Sequence, residues 1–302
     1  MKMNRRPLDA TAMLTLLVLC ILWGLQQVAV KAVAPSVSPT LQLGLRSLVA
    51  AALVYGLILV RGPRLALRDG TLLPGLGAGL LFAIEFLFAA VGLQYTTASH
   101  MSVFLYTAPI FTVLGLQLMV PGERLSPRQW AGVLAAFAGV AVAFSNGFSS
   151  SEKSMTDMLL GDALGVLGGL FWAATTVLIR CSALSEAPPA TTLFYQLAGC
   201  GVLLSAIAVG SGQHHGMQLT PLAWGSLFFQ SVIVAFASYL AWFWLLRRYL
   251  ASRVTVFSFL TPMFGVGFGV LILHDPVDIR FGIGALMVLA GVVLVNLRRP
   301  AS

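Results

Sequence analysis

Residues 98–109 read A-S-H-M-S-V-F-L-Y-T-A-P, and residues 251–262 read A-S-R-V-T-V-F-S-F-L-T-P. The two stretches lie 153 positions apart and share five identical positions, among them the prolines Pro109 and Pro262. Both stretches lie inside long apolar segments. An apolar chain that is built from two copies of one unit predicts a transporter core, because such cores bind their substrate near the membrane midplane, between the two copies.

The composition is typical of an integral membrane protein. Hydrophobic residues make up 58% of the chain and charged residues only 9%, whereas soluble domains carry about 25% charged residues. The apolar residues form segments close to the length of about 20 residues that a helix needs to cross a bilayer. The sequence predicts ten such spans, at about 13–33, 40–60, 72–92, 97–118, 129–146, 160–180, 190–210, 222–245, 252–273 and 280–297.

The net charge of +8 is distributed as a topology signal. When the predicted loops are sorted by side, most Lys and Arg residues fall on one side of the membrane, Lys31, Lys153 and Arg280 fall on the other, and Arg46 lies inside a span. Because Lys and Arg are enriched in cytoplasmic loops, we expect both termini in the cytoplasm. No nucleic-acid motif accompanies the positive charge, so we do not expect nucleic acid as a partner. The expected partners are membrane lipid and a small-molecule substrate, and we expect no metal and no cofactor.

The repeat extends over the whole chain. Corresponding residues in the two halves are Gly132 and Gly284, Gly139 and Gly291, Trp23 and Trp172, and Lys31 and Arg180. The halves are 1–146 and 158–302, joined by the polar linker 147–157. Because each half crosses the membrane an odd number of times, the second half is inverted relative to the first, which permits alternating access. A duplication that serves only the stability of the fold is the alternative.

These motifs resemble a known family. The pattern L-x-Y-T-T-A-S-x-x-S-V-F-L-Y-T-A-P at 93–109, followed by G-E-R-L-S-P-R-Q-W-A-G at 122–132, is similar to the EamA type of the drug/metabolite transporter superfamily. The resemblance implies an all-α fold of ten transmembrane helices in two inverted five-helix repeats. It also implies a central cavity surrounded by helices three, four, eight and nine, with helices one and six as mobile gates. In the second copy, G-E-R-L has become H-D-P-V at 274–277.

A polar stripe follows the fourth span. Ser99, Ser102 and Tyr106 are spaced as one face of a helix, and the repeat places Ser252, Thr255 and Phe259 at the matching positions. Hydroxyl groups at this spacing either line a water-filled cavity or hold packed helices together. Pro109 and Pro262 end the two stripes, and the missing backbone donor of proline predicts a kink at the same place in each half. Such a kink is a candidate hinge or a static bend.

Two titratable residues are candidates for proton coupling. Glu85 is the only acidic residue deep in a predicted span, and a carboxylate inside a membrane indicates a functional site or an ion pair. It would accept a proton, bind a substrate ammonium group, or pair with Arg46. His100 lies near the outer end of the fourth span and titrates in the physiological range. A hydrogen-bonded interfacial histidine is the alternative for His100.

Several aromatic residues lie well inside spans, although Trp and Tyr usually prefer the membrane interfaces. Aromatic walls suit aromatic substrates, or an ammonium group through cation–π contact. Together with the polar stripe, they define a candidate substrate cavity made of Trp23, Gln26, Glu85, Ser99, Ser102, Tyr106, Trp172, Ser238, Tyr239, Trp242, Thr255 and Phe259.

The sequence and the resemblance together predict a secondary transporter of the cell inner membrane. It would export small metabolites, amino acids including aromatic ones above all, by alternating access. An exporter of cationic drugs and a carrier of phosphorylated metabolites remain as alternatives. A membrane-embedded enzyme would need paired catalytic groups at one depth, which the motifs do not provide. We therefore expect that this protein is not an enzyme. A passive channel is a further alternative, which saturable exchange kinetics would exclude.

Overall fold

A computed structural model describes residues 6–61, 70–145, 154–273 and 279–297, apart from the side chains of Arg61, Ala98, Ser99 and Leu273. Within these residues every regular element is helical. Several predicted features lie outside them, namely residues 147–153 of the linker, the H-D-P-V segment, and the topology-marking residues Lys2, Arg5, Arg64, Arg68, Lys153, Arg298 and Arg299.

The first half contains six helices, of which the fourth and fifth form one interrupted span. They are α1 (Ala10–Val33), α2 (Pro39–Arg61), α3 (Leu72–Tyr95), α4 (Ala98–Leu105), α5 (Ala108–Met119) and α6 (Pro127–Ala143). Polar side chains cap the beginnings of α1, α4 and α6, where an oxygen at the N-cap satisfies a free backbone donor. The Asp9 carboxylate accepts from Ala12 N, the Thr97 hydroxyl accepts from His100 N, and Ser126 and Gln129 form a reciprocal capping box.

The second half contains the remaining seven helices. They are α7 (Met155–Cys181), α8 (Pro189–Gly210), α9 (Pro221–Phe228), α10 (Tyr239–Arg248), α11 (Ala251–Val254), α12 (Leu260–Leu273) and α13 (Ile279–Asn296). A ten-residue π-helix, Phe229–Ser238, joins α9 to α10, and a 3₁₀ turn, Thr255–Phe259, joins α11 to α12. Each of these two groups therefore continues as one long, irregular span.

The chain is a multi-pass membrane protein. Nine helical segments of the described residues are long and apolar enough to cross a membrane: Ala10–Val33, Pro39–Val60, Leu72–Tyr95, His100–Met119, Met155–Cys181, Pro189–Gly210, Pro221–Arg248, Ala251–Ile272 and Ile279–Asn296. Their apolar side chains, such as Val60 and Leu118, stay largely exposed, as expected of residues that face lipid. The fifth predicted span corresponds to α6, which has 17 residues. The count of ten spans stays a prediction.

The two matching prolines follow breaks in their spans. The fourth span is interrupted at Tyr106 and Thr107, just before Pro109. The ninth span is interrupted by a 3₁₀ turn over Thr255–Phe259. Pro262 follows this turn, in the first turn of α12. Proline has no backbone N–H for the preceding turn, so both spans lose regular helical bonding at the same place. The predicted irregularity is present in both halves, and movement at these breaks stays a prediction.

The glycines that the repeat singles out on α6 and α13 lie against each other in space, in crossed pairs. A Cβ on Gly132 would lie 2.8 Å from Gly291 O, and a Cβ on Gly139 would lie 2.7 Å from Gly284 O. Because these glycines have no side chain, α6 and α13 cross at the distance of two backbones. Elsewhere α2 packs along α8, and α3 packs along α7. The division of the chain into two inverted repeats stays a prediction.

Candidate functional site

Arg46 is a buried cation in the middle of the fold. It lies on α2, and only 1% of it is exposed. Its Nη2 donates to the hydroxyl of Tyr239 over 3.4 Å, and its guanidinium carbon lies 5.3 Å from the centroid of the Phe86 ring and 5.9 Å from that of Tyr239. Within the described part of the chain, its Nε and Nη1 have no hydrogen-bond partner. Two donors of a buried charge are therefore available to a ligand.

Glu85 lies on α3 close to this cation but does not pair with it directly. Its side chain is also buried, and its Oε2 has no hydrogen-bond partner among the described residues. In the same residues, no Arg46 nitrogen lies within 4.0 Å of a Glu85 oxygen. The carboxyl group is nevertheless near enough to interact electrostatically with Arg46 and with the phenols of Tyr106 and Tyr239. The ion pair that the sequence left open is not formed as a direct contact.

Aromatic side chains from both halves meet beside these charges. Trp23 of α1 packs edge-on against Tyr239 and Trp242, with ring centroids 6.0 and 5.3 Å away. Its Nε1 donates to the hydroxyl of Ser238 over 2.9 Å. Phe82 of α3 completes the group through an edge contact with Tyr239. We call Trp23, Phe82, Ser238, Tyr239 and Trp242 the aromatic cluster.

The π-helix determines the direction in which the eighth span orients Ser238, Tyr239 and Trp242. It ends at Ser238, directly before Tyr239. Long π-helices are rare, and short ones often occur at functional sites. A buried amide contact holds the segment to α2, since Gln230 Nε2 donates to Gln42 Oε1 over 2.9 Å. Gln42 is one helical turn before Arg46 on the same face of α2, so this contact places Arg46 beside the eighth span.

Tyr106 and Trp172 form a second aromatic contact, and the phenol of Tyr106 is near enough to Glu85 to interact with it electrostatically. Their ring centroids are 5.6 Å apart in an edge arrangement, which joins the end of α4 to α7. Gln26 and Ser102 occupy half-buried positions on α1 and α4. Whether these four residues line one cavity with the aromatic cluster stays a prediction.

Two other predicted residues belong to the packed core. The Thr255 hydroxyl donates to Ala251 O of its own helix over 3.0 Å, and Phe259 is fully buried. The side chain of Ser99 lies outside the described residues. The assignment of these three residues to a substrate cavity stays a prediction.

His100 has a carboxylate partner that the sequence did not indicate. Its Nδ1 lies 2.9 Å from both carboxylate oxygens of Asp162 on α7. The hydroxyl of Thr96 donates to the same carboxylate over 2.6 Å. Asp162 lies near the beginning of the predicted sixth span, and an acidic residue within an apolar span was a signal that could have identified it. His100 and Asp162 thus join α4 to α7 through a direct contact of their side chains.

Glu123 ties the two halves together at the opposite ends of these helices. It forms a buried ion pair with Arg180 of α7. Its Oε2 also accepts from Ser252 N and Ser252 Oγ over 3.0 and 2.7 Å, and its Oε1 accepts from Ala251 N over 3.0 Å. We call Glu123, Arg180, Ala251 and Ser252 the Glu123 junction. A small pocket that is lined by Arg180, Leu184 and Arg247 lies beside this junction, and Arg46 is not among its lining residues.

The Glu123 carboxyl lies in the loop between α5 and α6, outside the spans. Burial alone would raise its pKa, but the Arg180 charge and the hydrogen bonds from Ser252 outweigh burial. The pKa of Glu123 is therefore lower than its ordinary value of 4.5, and the ion pair persists at neutral pH. Sequence patterns marked this residue only as part of the G-E-R-L motif, because its partners lie in the other half of the chain.

Comparisons with known proteins agree with a transporter architecture. The profile of the EamA-like transporter family matches residues 10–145 and 159–297. An uncharacterized transporter of Archaeoglobus fulgidus is 31% identical over 224 residues, which is 74% of each chain. A probable amino-acid metabolite efflux pump of Escherichia coli is 27% identical over 286 residues, which is 92% of each chain.

The fold is also that of a known crystal structure. That structure superposes with a TM-score of 0.80, covering 95% of this chain and 96% of the other, at 19% sequence identity. At this identity the likeness concerns the fold alone. The family profile, by contrast, covers nearly the whole sequence in two successive matches. This chain belongs to the EamA-like transporter family.

Proposed function

We propose that this protein is a secondary transporter that exports amino acids, aromatic ones included, across the cell inner membrane. The observation that carries the proposal is a pair of buried opposite charges, Arg46 and Glu85, beside the aromatic cluster. A site with both signs of charge and an aromatic wall suits a small zwitterion. The Escherichia coli relative, named as a probable amino-acid metabolite efflux pump, supports the same substrate class.

Alternating access is the proposed mechanism, with the halves 1–146 and 158–302 as inverted repeats and both termini in the cytoplasm. The contact of Gly132 with Gly291 and of Gly139 with Gly284 supports it, because the repeat correspondence of Gly132 with Gly284 and of Gly139 with Gly291 converts one contact into the other. Trp23 and Trp172 lie on the two helices proposed to act as gates, and each contacts aromatic residues of another span. The breaks before Pro109 and Pro262 are the proposed hinges.

Proton antiport is the proposed source of energy, with uniport driven by the substrate gradient as the alternative. The contact of His100 with Asp162 supports a coupling role, since protonation of the imidazole would change its interaction with a carboxylate that joins α4 to α7. Glu85 is the second candidate. The two candidate proton carriers lie at different positions in the fold, since Glu85 is near Tyr239 of the aromatic cluster and His100 contacts Asp162 on α7.

Counterflow of labelled amino acids by purified protein in liposomes tests the proposal. We expect saturable exchange of aromatic and other amino acids, and faster net export when a pH gradient is imposed. Failure of the whole amino-acid panel would contradict the proposed substrate class. Exchange of cationic drugs or phosphorylated metabolites by the same liposomes would then identify one of the alternative carriers, and turnover of a substrate without exchange would identify an enzyme.

A further inference from the structure

We propose that Arg46 and Glu85 are the two charged anchors of the transport site, with Arg46 receiving the carboxylate and Glu85 the ammonium group of an α-amino acid. This assignment rests on the proposed function and specifies how the same site recognises its substrate.

Arg46 is a buried cation whose hydrogen-bonding capacity is only partly used. A cation buried inside a membrane protein is costly unless it is paired. Arg46 has one phenol and two aromatic faces near it, and its Nε and Nη1 remain without a partner in the described residues. Carboxylates are the groups that a guanidinium binds most strongly, through charge-assisted hydrogen bonds. A substrate carboxylate would supply the missing partner.

Glu85 provides the complementary argument. Its Oε2 is buried and unpartnered among the described residues, as is expected of a carboxylate that accepts from a transient donor. An ammonium group carries three N–H donors and the opposite charge. Arg46 and Glu85 interact electrostatically without direct contact, so the two opposite ends of a zwitterion would each supply a direct partner that these two side chains do not give each other. Binding of a zwitterion leaves the net charge of the site unchanged.

The side chain of the bound substrate would contact the aromatic cluster. Trp23 and Phe82 belong to the first half of the chain, whereas Ser238, Tyr239 and Trp242 belong to the second. Tyr239 connects the cluster to the charged anchors, because its hydroxyl accepts from Arg46 and its ring faces the guanidinium. A substrate held by Arg46 and Glu85 therefore lies against residues of both halves, as alternating access requires.

The test is a competition experiment with three ligands of the same shape. Counterflow of labelled phenylalanine is inhibited with unlabelled phenylalanine, with phenethylamine, which lacks the carboxylate, and with 3-phenylpropionate, which lacks the ammonium group. We expect the native protein to prefer phenylalanine about tenfold to hundredfold over each analogue, since each loses a hydrogen-bonded charge. Arg46→Gln should reduce the preference over phenethylamine, and Glu85→Gln should reduce the preference over 3-phenylpropionate.

Arg128→Gln and Asp157→Asn are the matched controls, because they make the same chemical changes at exposed positions on α6 and α7. Neither control should change the two preferences. Size-exclusion profiles check the fold of each variant. If Arg46→Gln does not fold, Arg46→Lys tests the same point, since a single ammonium group in place of the guanidinium should still weaken the preference for the carboxylate.

Two results would separate this assignment from the proposed function. Exchange of phenylalanine with unchanged preferences in both Arg46→Gln and Glu85→Gln would overturn the assignment and leave the function in place. Absence of amino-acid exchange in the native protein would overturn both. A native protein that prefers phenethylamine to phenylalanine would also overturn the role of Arg46, because a carboxylate would then oppose binding.

Discussion

Glu123, in the loop between α5 and α6, forms an ion pair with Arg180 near the end of α7, and both side chains are almost fully buried. The same carboxylate accepts hydrogen bonds from Ala251 and Ser252 at the start of the ninth span. One residue of the first half thereby holds two spans of the second half. Arg180 is further bound to the end of the eighth span, because its Nη1 donates to Leu246 O.

We expect Glu123→Gln to destabilise the protein by about 3–5 kcal/mol, since it leaves Arg180 as a buried cation without its counter-charge. Thermal unfolding in detergent measures the effect. The double variant Glu123→Gln/Arg180→Gln should recover part of the loss, because it removes the uncompensated charge. A single variant as stable as the native protein would contradict a structural role for this ion pair.

The same ion pair predicts a dependence of stability on pH. Because the pKa of Glu123 is lowered by folding, its contribution is present in full above the ordinary value of 4.5 and is lost as the pH falls through the lowered value. The difference in unfolding temperature between the native protein and Glu123→Gln should therefore shrink as the pH falls from about 6 to about 3. A constant difference over that range would show that protonation of Glu123 is not involved.

The hydrogen bond from Trp23 to Ser238 should couple the first span to the eighth. Ser238→Ala removes the acceptor, and we expect a loss of about 0.5–1.5 kcal/mol in stability. Trp23→Phe removes the donor and keeps an aromatic ring. Unfolding of the two single variants and the double variant measures the coupling, and strictly additive effects would mean that the bond contributes nothing.

Asp162→Asn tests the coupling role of His100. The substitution keeps the shape of the side chain and removes the charge that lies 2.9 Å from His100 Nδ1. We expect transport driven by a pH gradient to fall while counterflow at equal pH is kept, because only the former requires proton movement. Asp157→Asn, on the exposed first turn of the same helix, is the control. Unchanged gradient-driven transport in Asp162→Asn would transfer the coupling role to Glu85.

Gly284→Ala should weaken the contact of α6 with α13. A Cβ at this position would lie 2.6 Å from the backbone nitrogen of Ala143, so the helices have to move apart. Overpacking of this kind costs about 1–3 kcal/mol. Gly282→Ala on the same helix is the matched control, because its Cβ would meet nothing within 4 Å. Equal unfolding temperatures of the two variants would contradict close packing at Gly284.

Parts of the candidate site were predictable from residue type and position. Trp23, Tyr239 and Trp242 are aromatic residues deep within spans, and the structure brings them into contact. Arg46 and Glu85 are charges at compatible depths, and both are buried. The pairing of these charges was not predictable, because a shift of a few ångströms between α2 and α3 decides whether an arginine and a glutamate touch.

Other parts were missed for the same kind of reason. Asp162 lies 62 residues from His100, and no local pattern connects the two. The π-helix over Phe229–Ser238 changes the face that the eighth span presents, yet its sequence is an ordinary apolar run. Glu123 looked like part of a loop motif, whereas its partners Arg180 and Ser252 are distant in the chain.

The sequence by itself determined the membrane class, the approximate spans, the internal repeat and the breaks before Pro109 and Pro262. These properties depend on hydropathy, spacing and the missing donor of proline, all of which are local. Tertiary structure alone decided that Arg46 has no direct carboxylate partner among the described residues, that Trp23 donates to Ser238, and that Glu123 pairs with Arg180. Those outcomes depend on the relative rotation and depth of packed helices, which many side chains of distant segments set together.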